Sequence, residues 1–356
     1  MSSTTTPRIP EGSIASERET DHTESETGVS SQVHPLHHSD PEIAVLNKDQ
    51  IQQKIGQLSE TLDGVLLGKQ QQIKLALACL FAQGHLLIED LPGMGKTLLS
   101  HALARVLGLS YNRIQFTSDV LPSDIIGATV FDRERNSFRF VEGPIFAQLI
   151  LADEINRATP KSQSALLEAM EEGQVTNDGE SRQLPQPFFV IATQNPSTQA
   201  GTFPLPESQL DRFLMRIELG YPEPAAEREL LLSGDRRKNL EALPQLLSLP
   251  ELRAVQQAVT DIKVSEPLVD YVQRILAFSR QGGAFAFGLS PRGALALMQG
   301  AKAWALIHDR THVIPEDVQA VLPGVVEHRL RESADFSGHG GGALAQQLLG
   351  SVDVVA

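Results

Sequence analysis

The residues best suited to handling a polyphosphate lie in one short stretch, Asp90-Leu91-Pro92-Gly93-Met94-Gly95-Lys96-Thr97. An apolar run, His85-Leu86-Leu87-Ile88-Glu89, precedes it, and Leu98-Leu99-Ser100-His101-Ala102-Leu103-Ala104-Arg105-Val106-Leu107 comes after, so the order reads strand, Gly-Pro turn, helix. Such a turn aims several backbone N–H groups and the positive end of a helix dipole at one point, where an anion is welcome. Lys96 offers a point charge to the outer phosphates and Thr97 a hydroxyl to Mg²⁺. The usual phosphate-loop pattern has Gly where this chain has Asp90, so the match is partial. A Gly-rich strand-to-helix turn with a solvated lysine stays open on this stretch alone.

Three further groups carry matching chemistry. Leu149-Ile150-Leu151-Ala152-Asp153-Glu154 is an apolar strand ending in two acids. Beside a phosphate loop, Asp153 can hold Mg²⁺ through water and Glu154 can polarise an attacking water. Phe188-Phe189-Val190-Ile191-Ala192-Thr193 leads into Gln194-Asn195-Pro196, where Asn195 could hydrogen-bond both that water and a terminal phosphate; its alternative is a turn Asn before Pro. Arg212 stands just before another strand, where a guanidinium reaching a terminal phosphate raises phosphoryl-transfer rates by about 10³–10⁵. Pairing with Glu207 or Asp211 is its plainer role. Arg292, in Ser290-Pro291-Arg292, opens a helix at the end where the dipole disfavours a cation, so an anion to bind would explain it.

The elements that must position these residues alternate. Ile51, Ile55, Leu58 and Leu62 recur at helical spacing, Gly68 breaks the pattern, and a second helix spans about Gln70 to Gln83. Strand candidates at His85–Glu89, Arg113–Phe116, Leu149–Ala152, Phe188–Ala192 and Leu214–Leu219 alternate with helices such as Ser162–Glu172. That alternation argues a parallel sheet covered on both faces, with ligands at the carboxyl ends of its strands. Two hairpins interrupt it. One spans Val130–Val141, in which core packing of one hairpin face is the expected job of Phe131, Phe138 and Phe140; the other spans Gly173–Pro187 about an Asn177-Asp178-Gly179 turn. After residue 221 only amphipathic helices remain, at Glu227–Leu232, Leu252–Val259, Glu266–Arg280, Pro291–Ile307 and Pro315–Leu322, the last expected to stop at Pro323-Gly324. A Gly-rich spacer and a short terminal helix over Ala343–Val355 complete the chain.

Composition bounds the setting. Of the net charge of −14, eight acids and two arginines place −6 in residues 1–45, a Ser, Thr, Glu and Pro-rich segment expected to be a disordered acidic tail. The acidic balance argues against a nucleic-acid partner, since phosphate contact needs a basic face. Cys79, the sole cysteine, lies in an apolar helical run and suits a small core residue in a reducing compartment. No run reaches the length of a membrane span and no signal peptide is visible, which makes the cytoplasm the default location.

Together these blocks resemble the AAA+ ATPases, and within them the MoxR family. The carriers are Leu91–Thr97, Leu151–Ala158, Leu166–Glu172, Ala192–Pro196, Leu210–Phe213 and Ser290–Arg292. The resemblance implies an α/β fold: an αβα P-loop core with a five-stranded parallel sheet over 46–220, a small all-helical lid over 221–331, and a linker with a short helix over 332–356. It implies ATP and Mg²⁺ as ligands. Gly68, Pro92, Gly93, Met94, Gly95, Lys96, Thr97, Leu98 and Arg292 would bind ATP, with Arg292 on the lid above the same subunit's nucleotide. Thr97 and Asp153 would serve the metal. Lys96, Glu154 and Asn195 would act in hydrolysis, and Arg212 would be the arginine finger offered to a neighbour. The hairpins would be a helix-2 insert (117–145) and a pre-sensor-1 hairpin (173–187). Partners implied are a homo-oligomeric ring, expected to be a hexamer, a protein containing a von Willebrand factor A domain, and a client protein remodelled in a chaperone-like way. Readings left standing are a magnesium-chelatase-like or nucleic-acid motor subunit and a nucleotide-gated scaffold.

Overall fold

The computed structural model describes residues 43–195, 201–233, 240–281, 285–331 and 343–354. The expected acidic tail, apart from its last three residues, and the Gly-rich spacer lie outside them. Helix α1 (Lys48–Val65) starts at a reciprocal cap: Asn47 Oδ1 accepts from Gln50 N–H and Gln50 Oε1 from Asn47 N–H, both at 2.9 Å. Its Ile51, Ile55, Leu58 and Leu62 are buried as their spacing predicts. Helix α2 (Gln70–Phe81) then leads into β1 (His85–Glu89), the loop, and α3 (Lys96–Val106).

The sheet is completed by β2 (Tyr111–Gln115), β5 (Leu149–Asp153), β8 (Phe189–Gln194) and β9 (Phe213–Ile217), in the order β2-β5-β8-β1-β9, every pairing parallel. β5 and β8 are buried at every position, which is why their sequences run continuously apolar instead of alternating. Register sets the carboxyl ends of three strands level. Ala152 pairs with Ala192 and Leu87 with the same Ala192, so the ends of β5, β8 and β1 come side by side.

The hairpins form as expected: β3 (Gly127–Asp132) with β4 (Ser137–Glu142), and β6 (Gln174–Asn177) with β7 (Glu180–Gln183) across Asp178 and Gly179, both at positive φ. The role expected of the phenylalanines needs correction. Phe131, Phe138 and Phe140 share one face, but the second hairpin covers only its base. Arg182 lies 3.9 Å over the Phe140 ring and Asn177 donates to Thr129 Oγ1 at 3.2 Å. Phe131 and Phe138, nearer the tip, are 50% and 74% exposed and pack on each other edge to face.

Helices α4 (Pro122–Ile126), α5 (Pro160–Glu172) and α6 (Glu207–Leu210) lie between the strands, and past β9 come α7 (Pro224–Ser233), α8 (Leu249–Asp261), α9 (Glu266–Arg280), α10 (Pro291–Ile307), α11 (Pro315–Val326) and α12 (Ala343–Ser351). Ser290 caps α10 by accepting from Gly293 N–H at 2.9 Å, with Pro291 in the first turn. The stop expected at Pro323-Gly324 is absent: α11 continues to Val326 through Pro323. Burial of Val325 and Val326 outweighs the lost N–H, and Gly324 lets the helix approach β9 so closely that a Cβ there would stand 3.3 Å from Arg216 O. The described residues form one compact unit, and one apolar cluster runs from α1 and α2 through the β1 and β9 side chains into α8–α12. α12 packs on α9 and α11, with Leu344, Ala345 and Leu348 buried, so it joins the helical layer and does not stand apart as a terminal appendage.

His85, partly buried at the start of β1, is fixed as a neutral ring. Its Nδ1 accepts from Val190 N–H (3.1 Å), which leaves Nε2 to donate to Met170 O (3.2 Å), and burial pushes its pKa down to about 4. Protonating Nδ1 would set two N–H groups against each other. Between the ordinary histidine range near 6.5 and about 4, the unfolded chain binds a proton that the folded chain refuses. Stability should therefore be full above about pH 6.5 and fall through this window, by on the order of 3 kcal/mol from this group. Urea melts at pH 7.5, 6, 5 and 4.5 should show the loss, and His85→Gln should flatten it.

Candidate active site

The loop between β1 and α3 is built on two glycines at positive φ, Gly93 (+89°) and Gly95 (+94°), conformations that cost any other residue. Gly95 caps α3 without a side-chain hydrogen bond, so the first N–H groups of the helix, at Lys96, Thr97 and Leu98, remain for an anion. These residues line a cleft of about 400 Å³ together with Pro92, Met94, Asp153, Glu154 and Asn195. Val65, Leu66, Leu67 and Lys69 close it on one side, and Gly220, Pro222 and Leu230 of the segment leading into the helical layer on the other. Apolar walls at one end and loop amides with a lysine at the other suit a molecule with a flat base and a phosphate tail.

Lys96 is nearly buried. Its ammonium donates to Asp90 O (2.5 Å) and Asn195 Oδ1 (3.1 Å). Burial lowers its pKa, while Asp90, Asp153, Glu154 and Glu89 pull it back up. An anion in the cleft would offset that desolvation directly.

Asn195, at the end of β8, bridges the site. Its Oδ1 accepts from the Lys96 ammonium and its Nδ2 donates to Glu154 Oε1 at 3.0 Å, so the charges on both sides fix which way the amide points. Glu154 sits in the left-handed region at φ +57°, a strained placement that turns its carboxylate toward the cleft edge. Gln115 (3.3 Å) and Arg157 (3.0 Å) hold its Oε2. Asp153 is held by Thr193 Oγ1 on Oδ1 (2.5 Å) and by Arg113 on Oδ2 (2.6 Å). Its remaining lone pairs, beside Thr97 at the loop, suit a hydrated divalent cation.

The site residues expected at the cleft are thus brought together, with two exceptions. Gly68 does not line it. Its φ of +69° and the close approach of Ala226 Cβ, 3.1 Å from where a Cβ would stand, make it a turn residue whose neighbours Leu67 and Lys69 do the lining. Arg292 is not over its own subunit's cleft. It stands beside Arg212, and both guanidiniums meet one carboxylate: Arg212 to Glu171 Oε2 at 2.7 Å and Arg292 to Oε1 at 2.5 Å. Docking of α10 on α2 and β9 turns the α10 N-terminus toward the Arg212 edge. There Ser290 Oγ donates to Asp211 Oδ2 (3.0 Å) and the buried Arg329 to Asp211 Oδ1 (2.7 Å).

Several partners have no signal in the sequence that places them. Arg113 and Gln115 alternate on β2, a period-2 pattern pointing both at the Asp153-Glu154 edge, but choosing that edge requires the strand order. Asp90, the departure from the loop pattern, turns out to be a staple. Its carboxylate accepts from Leu91 N–H, and from Leu219 and Gly220 N–H at 2.8 and 2.7 Å, joining the loop to the chain where it leaves β9.

Residues 85–215 match the profile of the ATPase family associated with various cellular activities (AAA), and residues 277–348 match that of the AAA lid domain. The YeaC protein of Bacillus subtilis is 42% identical over 302 residues, covering 84% of this chain and 94% of YeaC. Chaperone MoxR1 of Mycobacterium tuberculosis is 41% identical over 279 residues, 75% of this chain and 72% of MoxR1. The chain belongs to the MoxR family of AAA+ ATPases. The fold agrees: the crystal structure of a Cytophaga hutchinsonii protein superposes with a TM-score of 0.76 at 33% identity, covering 86% of this chain and 96% of the other. Among the described residues no helix is long and apolar enough to cross a membrane.

Thr193 tests the internal logic of this MoxR-family site. Its hydroxyl accepts from Glu154 N–H (2.9 Å) and donates to Asp153, serving both acids from a fully buried position. Thr193→Val keeps the shape and orphans both partners. It should lower unfolding stability by about 1–3 kcal/mol in chemical denaturation.

Proposed function

We propose that this protein is an ATP hydrolase whose catalytic unit is completed by a second copy of the chain in a ring, with hydrolysis driving chaperone-like remodelling or maturation of a client protein. The observation that carries the reading is the separation of charge. Lys96, Asp153, Glu154 and Asn195 surround one cleft, while Arg212 and Arg292 stand together at another edge, on Glu171. Neither arginine lines the cleft of its own chain, and both have the chemistry to serve a neighbour's.

In this reading the loop amides and Lys96 take the β- and γ-phosphates. Mg²⁺, held by Thr97 and through water by Asp153, would supply charge neutralisation across the phosphates. As the phosphate tail takes the Lys96 ammonium, Asn195 is released from it and turns toward the γ-phosphate, which frees Glu154 Oε1. Glu154 then orients the attacking water in line with the leaving oxygen and accepts its proton. Arg212 and Arg292 of the neighbouring subunit offset the negative charge that builds on the transferring group. Asp90, tied to both the loop and the exit of β9, links phosphate contact to the path into the helical layer. A hexamer and a partner with a von Willebrand factor A domain belong to this proposal as family expectations, as does the cytoplasm as its place of action. The chaperone role is supported by the name of the M. tuberculosis relative.

Two variants test it. Glu154→Gln should bind a fluorescent ATP analogue near parental affinity while steady-state phosphate release falls at least about a hundredfold. Arg212→Ala should keep nucleotide affinity and lose turnover by about 10³-fold or more. Normal turnover by Arg212→Ala in the assembled state would end the shared-site reading.

A further inference from the structure

Glu171 is the third member of the arginine edge, and nothing in its own helix accounts for it. It lies in the last turn of α5 (Pro160–Glu172), where the unpaired carbonyls make the helix end negative, and Glu168 and Glu172 flank it. A carboxylate is disfavoured there by the dipole and by Glu168 one turn before it. The two guanidiniums supply the reason for its position. Each oxygen of Glu171 takes one of them, so a single carboxylate draws together a cation from the sheet side (Arg212) and one from the helical layer (Arg292) that would otherwise repel.

The edge that presents them is preassembled. Asp211, the residue before Arg212, accepts from Ser290 on the α10 cap and from Arg329, which also donates to Asp211 O, Phe213 O and Val325 O. The backbones carrying Arg212 and Arg292 are therefore fixed to each other whether or not Glu171 is charged. The Glu171 carboxylate is not needed as scaffold, and it remains accessible, with the three side chains 26–48% exposed.

The geometry points to Glu171 as a resident anion that occupies the paired guanidiniums in place of a phosphate and must be displaced by the γ-phosphate of ATP bound to a second copy of the chain. This inference rests on the reading that Arg212 acts across a subunit boundary. A terminal phosphate has three oxygens and more charge than a carboxylate, so it wins the pair when ATP is present. ADP, lacking that group, does not. Glu171 thereby becomes a discriminator: the arginine edge commits to a neighbour holding a triphosphate and closes on itself otherwise.

The test is steady-state phosphate release by full-length protein across ATP concentration, in the parent and in Glu171→Gln. Removing the competing charge should lower the ATP concentration for half-maximal turnover at least about threefold and raise kcat/KM. It should also let the assembled state form at lower ATP, read by analytical ultracentrifugation. A structural or orienting role predicts the opposite sign, and an unchanged or reduced kcat/KM overturns the inference. Glu171→Asp retracts the charge by one methylene and should shift the half-saturation in the same direction by less, which keeps the proposal testable if the Gln variant folds poorly. In an Arg212→Ala, Arg292→Ala background, Glu171→Gln should change nucleotide affinity by nothing measurable; a persistent shift overturns the competition. Normal turnover by Arg212→Ala alone would instead remove the shared site, whatever Glu171 does.

Discussion

β8 lies between β1 and β5, and the site depends on that parallel pairing. The phosphate loop leaves β1 and the two acids end β5, and these strands never touch. Only a strand hydrogen-bonded to both can set a side chain between Lys96 and Glu154, and Asn195 is the residue at its end. Full burial of β5 and β8 holds the spacing, because a register slip of one residue would turn Thr193 away from Asp153 and Asn195 away from the lysine. Catalytic geometry and sheet stability are in this sense the same hydrogen bonds.

How far the sequence disclosed this depends on the range of each interaction. Strand, loop and helix about Lys96 are local, so apolar periodicity and two glycines were enough, and Asp153-Glu154 and Asn195 could be placed because each terminates an apolar run. Arg113 and Gln115 could not, since their meaning lies in a strand pairing between segments some 40 residues apart. Arg292 opens a helix as a cation suited to an anion, and the anion beside it in the fold is Glu171. Which way a helix N-terminus faces is decided by how α10 docks on α2 and β9, a tertiary fact with no local signature. The same limit applies to Phe131 and Phe138: alternation shows that they share a face but not how far the covering hairpin reaches. Pro323 shows burial overruling a local rule, with the valines after it held in the core at the expense of one backbone hydrogen bond.

Between the cleft and the arginine edge, polar contacts of long sequence range do the joining. Asp90 reaches across 129 residues to Leu219, and Arg329 across 118 to Asp211. The Asp90 carboxylate accepts from the chain leaving β9, and Asp211, which accepts from Ser290 and Arg329, stands just before β9 begins, so the strand at the end of the sheet connects the phosphate loop on one side with the arginine pair on the other. The helical layer is fused to the sheet through a shared apolar cluster. Core and lid of one subunit therefore meet as a continuous solid over much of their boundary.

Cys79 gives the chain a practical property. Its thiol has no measurable exposure, is packed among α2 side chains against the start of β1, donates to Gly84 O and His85 O, and is pushed far above the ordinary thiol range by burial. Thiolate is the species that alkylating reagents and spin labels attack, so the native chain behaves toward them as if it had no cysteine. A cysteine introduced at a solvent-facing position such as Phe138 would be the single reactive thiol of the chain, and a label there could be read without first altering the core.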